Sequence, residues 1–299
     1  MKNRSRQLPM NELHDMLRRA GDLMGRLEHV FPLAPRPPDW QASIAFRWRQ
    51  RYGRGFLEPV PHPHRIRLSD LLGIEQQKQL IDQNTRQFIQ GFPANNVLLT
   101  GARGTGKSSL VKAVLNKYAG KGLRLIEIDK HDLIDLPDIV EPVCRRPERF
   151  ILFCDDLSFG ADEPGYKALK AALEGSITAA SENLLVYATS NRRHLMPEYM
   201  EENLATRHVG DEVHPAEAVE EKISFSERFG LWLSFYPFSQ DDYLGIVDHW
   251  LGFLGVRHAD TDEVRQAAVQ WALARGSRSG RVAWQFARDW AGQHALKGK

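Results

Sequence analysis

The sequence lacks the features of a disulfide-stabilised or membrane-spanning protein. Its 299 residues include only two cysteines, Cys144 and Cys154, which are too few for a disulfide framework and are typical of a reducing compartment. No stretch approaches the ~18 consecutive apolar residues of a membrane span. The basic N-terminus is not followed by the apolar core of a secretory signal. A cytoplasmic location is therefore expected.

A strong net charge is also absent, because 40 Lys and Arg against 38 Asp and Glu give only +2. This balance excludes a histone-like composition. The charge is nevertheless uneven, since residues 1–65 hold 12 basic and 6 acidic residues, whereas the remaining residues hold 28 and 32. The length suggests two domains. Together these observations predict a basic N-terminal region over residues 1–65, which ends in a Pro- and Gly-rich linker, ahead of a mildly acidic body.

The basic region contains two recognisable patterns. Apolar residues at helical spacing predict an amphipathic helix over about residues 10–29. Aromatic and basic residues then alternate as in a strand, with Phe46, Trp48 and Tyr52 predicted on one side and Arg47, Arg49 and Arg51 on the other. Arginines near aromatics suit a nucleic-acid surface. A solvated strand face with core aromatics is favoured instead, because the aromatics point away from the arginines and no recognised DNA-binding motif is present.

From residue 66 onward, short apolar runs alternate with helical patterns. Strands are predicted at 96–100, 123–128, 150–154, 184–189 and 231–236, and helices at 80–88, 108–119 and 165–178. Beyond residue 239 the patterns are helical only, near 240–254, 261–274 and 280–295. This alternation predicts an α/β fold, a Rossmann-like αβα sandwich with a parallel sheet. The core is expected over residues 66–238 and a small all-helical lid over 239–299.

Residues 101–108 read Gly-Ala-Arg-Gly-Thr-Gly-Lys-Ser and fit the P-loop pattern between a predicted strand and a predicted helix. Its glycines allow backbone N–H groups to surround phosphate oxygens at a helix N-terminus. Lys107 is expected to reach the β- and γ-phosphates, and the Ser108 hydroxyl to ligate Mg²⁺. The predicted ATP-binding residues are Gly101, Ala102, Arg103, Gly104, Thr105, Gly106, Lys107, Ser108 and Ser109.

Two acidic residues follow the predicted strand 150–154, at the edge where ligands bind in open α/β sheets. Asp155 is expected to hold Mg²⁺, and Asp156 to orient or activate the attacking water. Taken alone, this segment would be interpreted as an ordinary turn after a core strand. The P-loop about 50 residues upstream favours the functional interpretation.

With these motifs, residues 66–299 resemble the AAA+ ATPases, and among them the bacterial family called domain of unknown function 815. The resemblance implies ATP and Mg²⁺ as ligands. It also implies that Leu72, Gly73 and Ile74, in a box upstream of the P-loop, lie near the adenine. Asn191, at the end of the fourth strand, resembles the sensor-1 residue and would act on the γ-phosphate or the water.

Two arginines complete the resemblance. Arg228, within Ser226–Gly230, resembles the finger arginine of AAA+ branch-migration motors, which would act on a neighbouring subunit and so implies a homo-oligomer. Arg281 resembles sensor 2, with Arg278 as the second candidate. Each arginine alone would be interpreted as a surface side chain or salt-bridge partner. Their order after the P-loop favours the catalytic interpretation.

Three segments indicate what kind of ATPase this would be and what it would contact. Most AAA+ motors carry Asp-Glu where this chain has Asp-Asp. The shorter Asp156 suggests slow hydrolysis and resembles the form in some replication initiators, helicase loaders and transposition helpers. The loop 130–135 lacks the aromatic-hydrophobic-Gly motif with which unfoldases grip polypeptide, which argues against an unfoldase. The acid-rich stretch 196–222 is interpreted as an exposed helix-loop or, alternatively, a partner contact.

The sequence therefore predicts an ATPase that remodels or switches a protein or nucleic-acid partner. Two alternatives stay open. One is a nucleotide-gated scaffold with negligible hydrolysis, and the other is a DNA-associated loader or remodelling ATPase, suggested by the basic N-terminal region.

Overall fold

The computed structural model describes residues 14–23, 37–159, 164–173, 182–191, 227–256 and 261–297. The strands are β1 (Ala45–Arg51), β2 (Arg54–Pro59), β3 (Val97–Gly101), β4 (Leu123–Ile128), β5 (Arg149–Cys154), β6 (Leu184–Ser190) and β7 (Leu231–Phe235). The helices are α1 (residues 14–23), α2 (Glu75–Ile89), α3 (Lys107–Tyr118), α4 (Leu136–Val140), α5 (Pro164–Leu173), α6 (Gln240–Phe253), α7 (Asp262–Ala274) and α8 (Gly280–Lys297). Within these ranges, no helix is long and apolar enough to cross a bilayer.

All seven strands form one sheet in the order β2-β1-β4-β5-β6-β3-β7. The pairs from β1–β4 through to β3–β7 are parallel, and only β1–β2 is antiparallel. Alternate residues of a strand enter separate cores. Leu99 and Phe153 pack with α2, α3 and the lid, whereas Leu98 and Leu152 pack with α4 and α5. Because helices cover both faces, the central strands are mostly apolar. The predicted αβα fold with a parallel P-loop sheet is confirmed.

The hairpin β1–β2 lies on the N-terminal side of the boundary predicted near residue 65, yet it is part of the central sheet. Strand β1 lies parallel to β4, with Arg47 opposite Glu127, so residues 45–59 belong to the same sheet as the P-loop strand. The alternating pattern predicts a strand but not its partner, which is chosen by long-range pairing. The described residues 14–23 of the basic region form α1, which is helical as predicted and exposed throughout. The rest of the predicted helix 10–29 lies outside the described residues.

The prediction for Tyr52 was wrong. Phe46 and Trp48 are buried, as expected of one face of a strand. Tyr52, however, is 74% exposed and has a φ of 52° in the two-residue turn between β1 and β2. The period of two ends where the strand ends, at Arg51, so Tyr52 does not share the side of the buried aromatics.

The three helices predicted after residue 239 are confirmed as α6, α7 and α8. Ser239 caps α6, because its hydroxyl accepts from the backbone N–H of Asp242 and the Asp242 carboxylate accepts from the backbone N–H of Ser239. Buried side chains of all three helices, including Tyr243 and Phe286, join the core that covers α2 and α3. The lid is thus packed on the same face of the sheet as α2 and α3. The acid-rich stretch 196–222 lies outside the described residues.

Candidate nucleotide site

The P-loop joins β3 to α3 at the carboxyl edge of the sheet. Gly101, Gly104 and Gly106 have φ values of 130°, 77° and 100°, in the region that favours glycine. The Thr105 hydroxyl donates to the Ala102 carbonyl over 2.8 Å and so closes the loop on itself. Gly106 precedes α3 directly, so the loop surrounds the N-terminus of a helix, where backbone N–H groups favour an anion.

Lys107 is the most buried charge at this edge, with 6% of its surface exposed. Its ammonium donates to the carbonyls of Gly101 over 2.7 Å and Ala102 over 2.8 Å, and to the side-chain oxygen of Asn191 over 3.0 Å. Burial lowers the pKa of Lys107, and the carboxylates of Asp155 and Asp156 oppose that shift. The three ammonium protons are donated to these two carbonyls and the amide oxygen, all of which are neutral.

Asp155 lies beside Ser108, the residue expected to share a metal with it. One carboxylate oxygen of Asp155 accepts from the Ser108 hydroxyl over 2.6 Å and from the Thr189 hydroxyl over 2.6 Å. Hydroxyl and carboxylate oxygens are the donors that Mg²⁺ prefers, so the two predicted metal residues fit that ion. Among the described residues, no group of three or more His, Cys, Asp or Glu is placed to hold a metal. A Mg²⁺ bound here would thus need ATP phosphates and water to complete its coordination.

Asn191 connects Lys107 to Asp156. Its amide nitrogen donates to the Asp156 carboxylate, while its amide oxygen accepts from Lys107. An ammonium only donates and a carboxylate only accepts, so these partners fix the orientation of the amide. Asp156 itself has a φ of 53°, a left-handed conformation that is uncommon for a residue other than glycine. The predicted sensor residue thus lies between the P-loop and the acidic turn.

Thr189 was missed by sequence reasoning, although it contacts both acidic residues. Besides donating to Asp155, its hydroxyl accepts from the backbone N–H of Asp156 over 2.8 Å, and its side chain is almost fully buried. Cys154 and Ala188 are paired in the parallel register of β5 and β6. The residues that follow them, Asp155 and Thr189, therefore lie next to each other. Thr189 therefore holds the acidic turn in its left-handed conformation. The sequence shows a hydroxyl residue near the end of this strand, but not the register that brings it to Asp155.

We expect Thr189→Val, which keeps the branched shape but removes the hydroxyl, to lower the free energy of unfolding by roughly 1–3 kcal/mol, because the Asp156 N–H loses its acceptor. The same change should weaken Mg²⁺-dependent binding of a fluorescent ATP analogue, since Asp155 loses a donor that orients it. Urea unfolding and titrations with and without EDTA measure the two effects. Thr189→Ser should restore both, and a valine variant that matches the wild type in both would contradict this role.

The upstream box lies against the P-loop. A Cβ built on Gly106 would lie 3.6 Å from a side-chain carbon of Ile74 and 3.8 Å from one of Leu71. Gly73 has a φ of 72° and faces the ring of Phe238 at the start of the lid segment. Leu72, the remaining predicted adenine residue, is half-buried beside the same core. The structure thus brings Ile74 beside the P-loop and adds Leu71 to it, whereas Gly73 lies beside Phe238.

The start of α8 also lies against the P-loop. A Cβ built on Gly104 would lie 2.8 Å from the Ser279 hydroxyl oxygen and 3.4 Å from the Arg281 Cβ. Arg281 is exposed, and its charge contributes to lowering the pKa of Lys107. Arg278 is exposed as well. Ser279, which is buried, is a second contact residue that the sequence did not reveal. Of the two candidate arginines, Arg281 is thus the one whose backbone adjoins the P-loop.

Arg228 is the predicted residue that the structure does not bring to this site. It lies just before β7, and the far end of β7, at Phe235, pairs with Gly101 of the P-loop. Strand β7 itself, five residues of extended chain, spans roughly 13 Å from Leu231 to Phe235. Arg228 is half-buried and precedes β7 at the amino edge of the sheet, opposite the edge that carries the P-loop. Ser226, which begins its motif, lies outside the described residues.

Similar structures include a threonine-to-valine variant of RuvB from Thermotoga maritima, with 13% identity and a TM-score of 0.47 over 74% of this chain and 63% of that one. Orc1 of Aeropyrum pernix in complex with DNA matches with 13% identity and a TM-score of 0.44 over 73% of this chain and 65% of that one. An Escherichia coli MS115-1 HORMA–CdnC–Trip13 complex matches with 14% identity and a TM-score of 0.45 over 74% and 90%. This chain thus spans less than two thirds of these RuvB and Orc1 chains.

No curated protein sequence matches the chain significantly. A family model does match, over residues 41–294, and its match includes the β1–β2 hairpin, the P-loop, the acidic turn and most of α8. The sheet order and the position of the P-loop agree with the resemblance to AAA+ ATPases. The chain therefore belongs to the family described as "Protein of unknown function (DUF815)".

Proposed function

We propose that this chain binds ATP with Mg²⁺ and hydrolyses it to ADP and phosphate, and that the resulting conformational change remodels or switches a partner. The observation that carries the proposal is the hydrogen-bonded cluster of Lys107, Ser108, Asp155, Asp156 and Asn191 at a helix N-terminus. It combines an anion site, an oxygen-rich metal site and an acid near both. Phosphoryl transfer needs these parts in one place.

Lys107 would bind phosphate by exchanging acceptors. In the described arrangement its ammonium donates to two carbonyls and one amide oxygen, all neutral. A phosphate oxygen is a stronger acceptor for an ammonium than these groups. The buried position also weakens competition from water. Bound Mg²⁺ would supply charge neutralisation at the transferring phosphoryl group.

Asp156 would orient the attacking water once Asn191 turns to the γ-phosphate. The two side chains are hydrogen-bonded to each other, so the acid is engaged until Asn191 changes partner. This contact and the short side chain favour slow turnover. They also support a second candidate function, a nucleotide-gated scaffold that binds ATP and hydrolyses it negligibly.

Arg228 would act on the ATP of a neighbouring copy in a homo-oligomer. It precedes β7, whose far end pairs with the P-loop, and this position at the opposite edge of the sheet favours a role on a neighbouring chain. A finger arginine stabilises charge in the transition state and contributes about 10³–10⁵ in rate. Arg281, at the start of α8, would contact the γ-phosphate from the lid of the same chain.

A mixing experiment tests catalysis and the trans arrangement together. We expect the wild type to release phosphate with Mg²⁺, and Asp156→Asn and Arg228→Ala each to lower the rate by about 100-fold or more. A 1:1 mixture of the two variants should recover about a quarter of the wild-type rate. Random assembly places an intact Asp156 opposite an intact Arg228 at about one interface in four.

Arg145→Ala serves as the charge-matched control and should turn over like the wild type, because Arg145 is an exposed arginine that precedes β5 at the amino edge of the sheet. Equal rates in all variants would reject the proposed hydrolysis. A mixture no faster than its components would reject action in trans. Tight ATP binding without phosphate release from the wild type would select the scaffold.

A further inference from the structure

The hairpin tip, residues 51–54 (Arg-Tyr-Gly-Arg), is a surface that the nucleotide site does not use. It contains the turn between β1 and β2, where Tyr52 and Gly53 have φ values of 52° and 70°. Two successive positive φ values are those of a type I′ turn, which favours Asn, Asp or Gly at its first central position. Tyr52 occupies that position and is 74% exposed, so no buried contact compensates for its backbone conformation.

The two arginines of the tip are a second feature that destabilises the hairpin. Arg51 and Arg54 are directly opposite each other in the antiparallel register, where like charges repel. Neither has a salt bridge among the described residues, whereas Arg47 pairs with Glu127 at 2.8 Å and Arg49 with Glu58 at 3.4 Å. The uncompensated positive charge of the hairpin is therefore confined to its tip.

The base of the hairpin is rigid, so the tip is presented at a defined position. The indole of Trp48 donates to the Asp135 carboxylate over 2.8 Å, and the Gln50 amide donates to the same oxygen over 2.6 Å. Gly55 lies directly under the Trp48 ring, since a Cβ there would be 1.9 Å from it. The register with β4 directs the tip beyond the carboxyl edge of the sheet, which is also the edge of the P-loop.

Residues that destabilise a turn, as Tyr52 and the facing arginines do here, are expected at functional positions when the surrounding structure holds them in place. An anion between Arg51 and Arg54 would remove their repulsion, and a phosphate fits two guanidinium groups. An exposed aromatic ring beside guanidinium groups is the platform on which unpaired bases stack, and the Arg51 guanidinium carbon lies 5.7 Å from the Tyr52 ring centre. An acidic peptide would satisfy the arginines without needing the ring. In a duplex, the base faces are already stacked.

We infer that the hairpin tip is a contact site for single-stranded nucleic acid, with a backbone phosphate between Arg51 and Arg54 and a base on Tyr52. This site is separate from the proposed ATPase, and binding to it is measured without nucleotide. A failed binding test therefore leaves the phosphate-release experiment unaffected.

The probe is a fluorescein-labelled oligothymidylate of about 20 nucleotides, and its anisotropy is followed as the full chain is added at several salt concentrations. We expect Tyr52→Asn to weaken binding by about tenfold, because the stacked ring is removed. Its melting temperature should stay equal or rise, since Asn adopts this turn conformation more readily. A double change, Arg51→Ala with Arg54→Ala, should lower the slope of log affinity against log salt by about 0.7 for each phosphate that the protein no longer neutralises.

Arg49→Ala removes the same charge from an arginine already paired with Glu58, and we expect its affinity for the probe to change by about twofold at most. Unchanged affinity in the Tyr52→Asn and double-arginine variants would overturn the inference. So would tighter binding of a labelled oligoglutamate than of the oligothymidylate, which would identify an acidic peptide as the partner. A duplex that bound as tightly as the oligothymidylate, with an affinity that Tyr52→Asn did not change, would show that the tip binds nucleic acid by charge alone. That result would also overturn the inference.

Discussion

Replacing Lys107 with alanine is expected to reduce the affinity for ATP by about 100-fold or more and to leave no measurable phosphate release. Lys107 is the buried cation of the P-loop, because Arg103 is exposed and the rest of the loop offers backbone N–H groups. A charge-assisted contact in a buried site is stronger than one in water. Its removal should therefore affect both binding and the transition state.

The same substitution should change the free energy of unfolding by only about 1 kcal/mol. Burial lowers the pKa of Lys107, which means that the fold holds this charge at a desolvation cost. Its three partners would lose one donor each, but Gly101 and Ala102 are only half-buried, so water that enters the space left by the lysine side chain can replace that donor. The variant thus separates ligand binding from folding.

Calorimetric titration with ATP and Mg²⁺ measures the affinity, and urea unfolding followed by circular dichroism measures the stability. Lys121→Ala is the matched control, because this exposed lysine follows the same helix and lies away from the P-loop. It should bind ATP like the wild type. ATP affinity in Lys107→Ala equal to that of Lys121→Ala would contradict the assignment of the site.

Gly101→Ala should lower the free energy of unfolding by about 3 kcal/mol or more. A Cβ at this position would lie 1.9 Å from the carbonyl oxygen of Phe235, a backbone atom of the neighbouring strand β7. The φ of 130° is also outside the regions open to alanine. Strand β3 has partners on both sides, so it cannot shift away from β7 without disturbing β6. Backbone strain with a steric clash belongs to the most destabilising class of substitutions.

Gly120→Ala is the control, because a Cβ there would have no heavy atom within 4 Å and the glycine has no positive φ. It should be neutral or slightly stabilising. The midpoints and slopes of urea unfolding compare the two variants directly. If Gly101→Ala unfolded at the same urea concentration as Gly120→Ala, the close approach of β3 and β7 would be refuted.

The parts of this protein that could be predicted from sequence are those encoded locally. The P-loop has fixed spacing within eight residues, and buried parallel strands are nearly continuous apolar runs, so β4 was predicted at its observed bounds. The lid helices followed from their period. Asp155 and Asp156 were found because acids at the end of such a strand face the ligand edge.

What could not be predicted depends on pairing between distant segments. Thr189 reaches Asp155 only because β5 and β6 are parallel with a particular register, which their apolar patterns do not specify. Ser279 meets Gly104 only because the lid folds back onto the P-loop. The alternation in β1 predicted a strand, yet nothing in it indicated that its neighbour would be β4, 80 residues away in the pair Arg47–Glu127.

The shared core of lid and sheet limits how far the lid can move. Tyr243, Leu251 and Phe286 are buried in the same apolar cluster as Leu99 and α2. Exposing even ~200 Å² of that cluster would cost about 5 kcal/mol. Nucleotide present at about a thousand times its dissociation constant supplies only about 4 kcal/mol. Nucleotide binding of that strength, without hydrolysis, would therefore not offset the separation of these helices from the sheet.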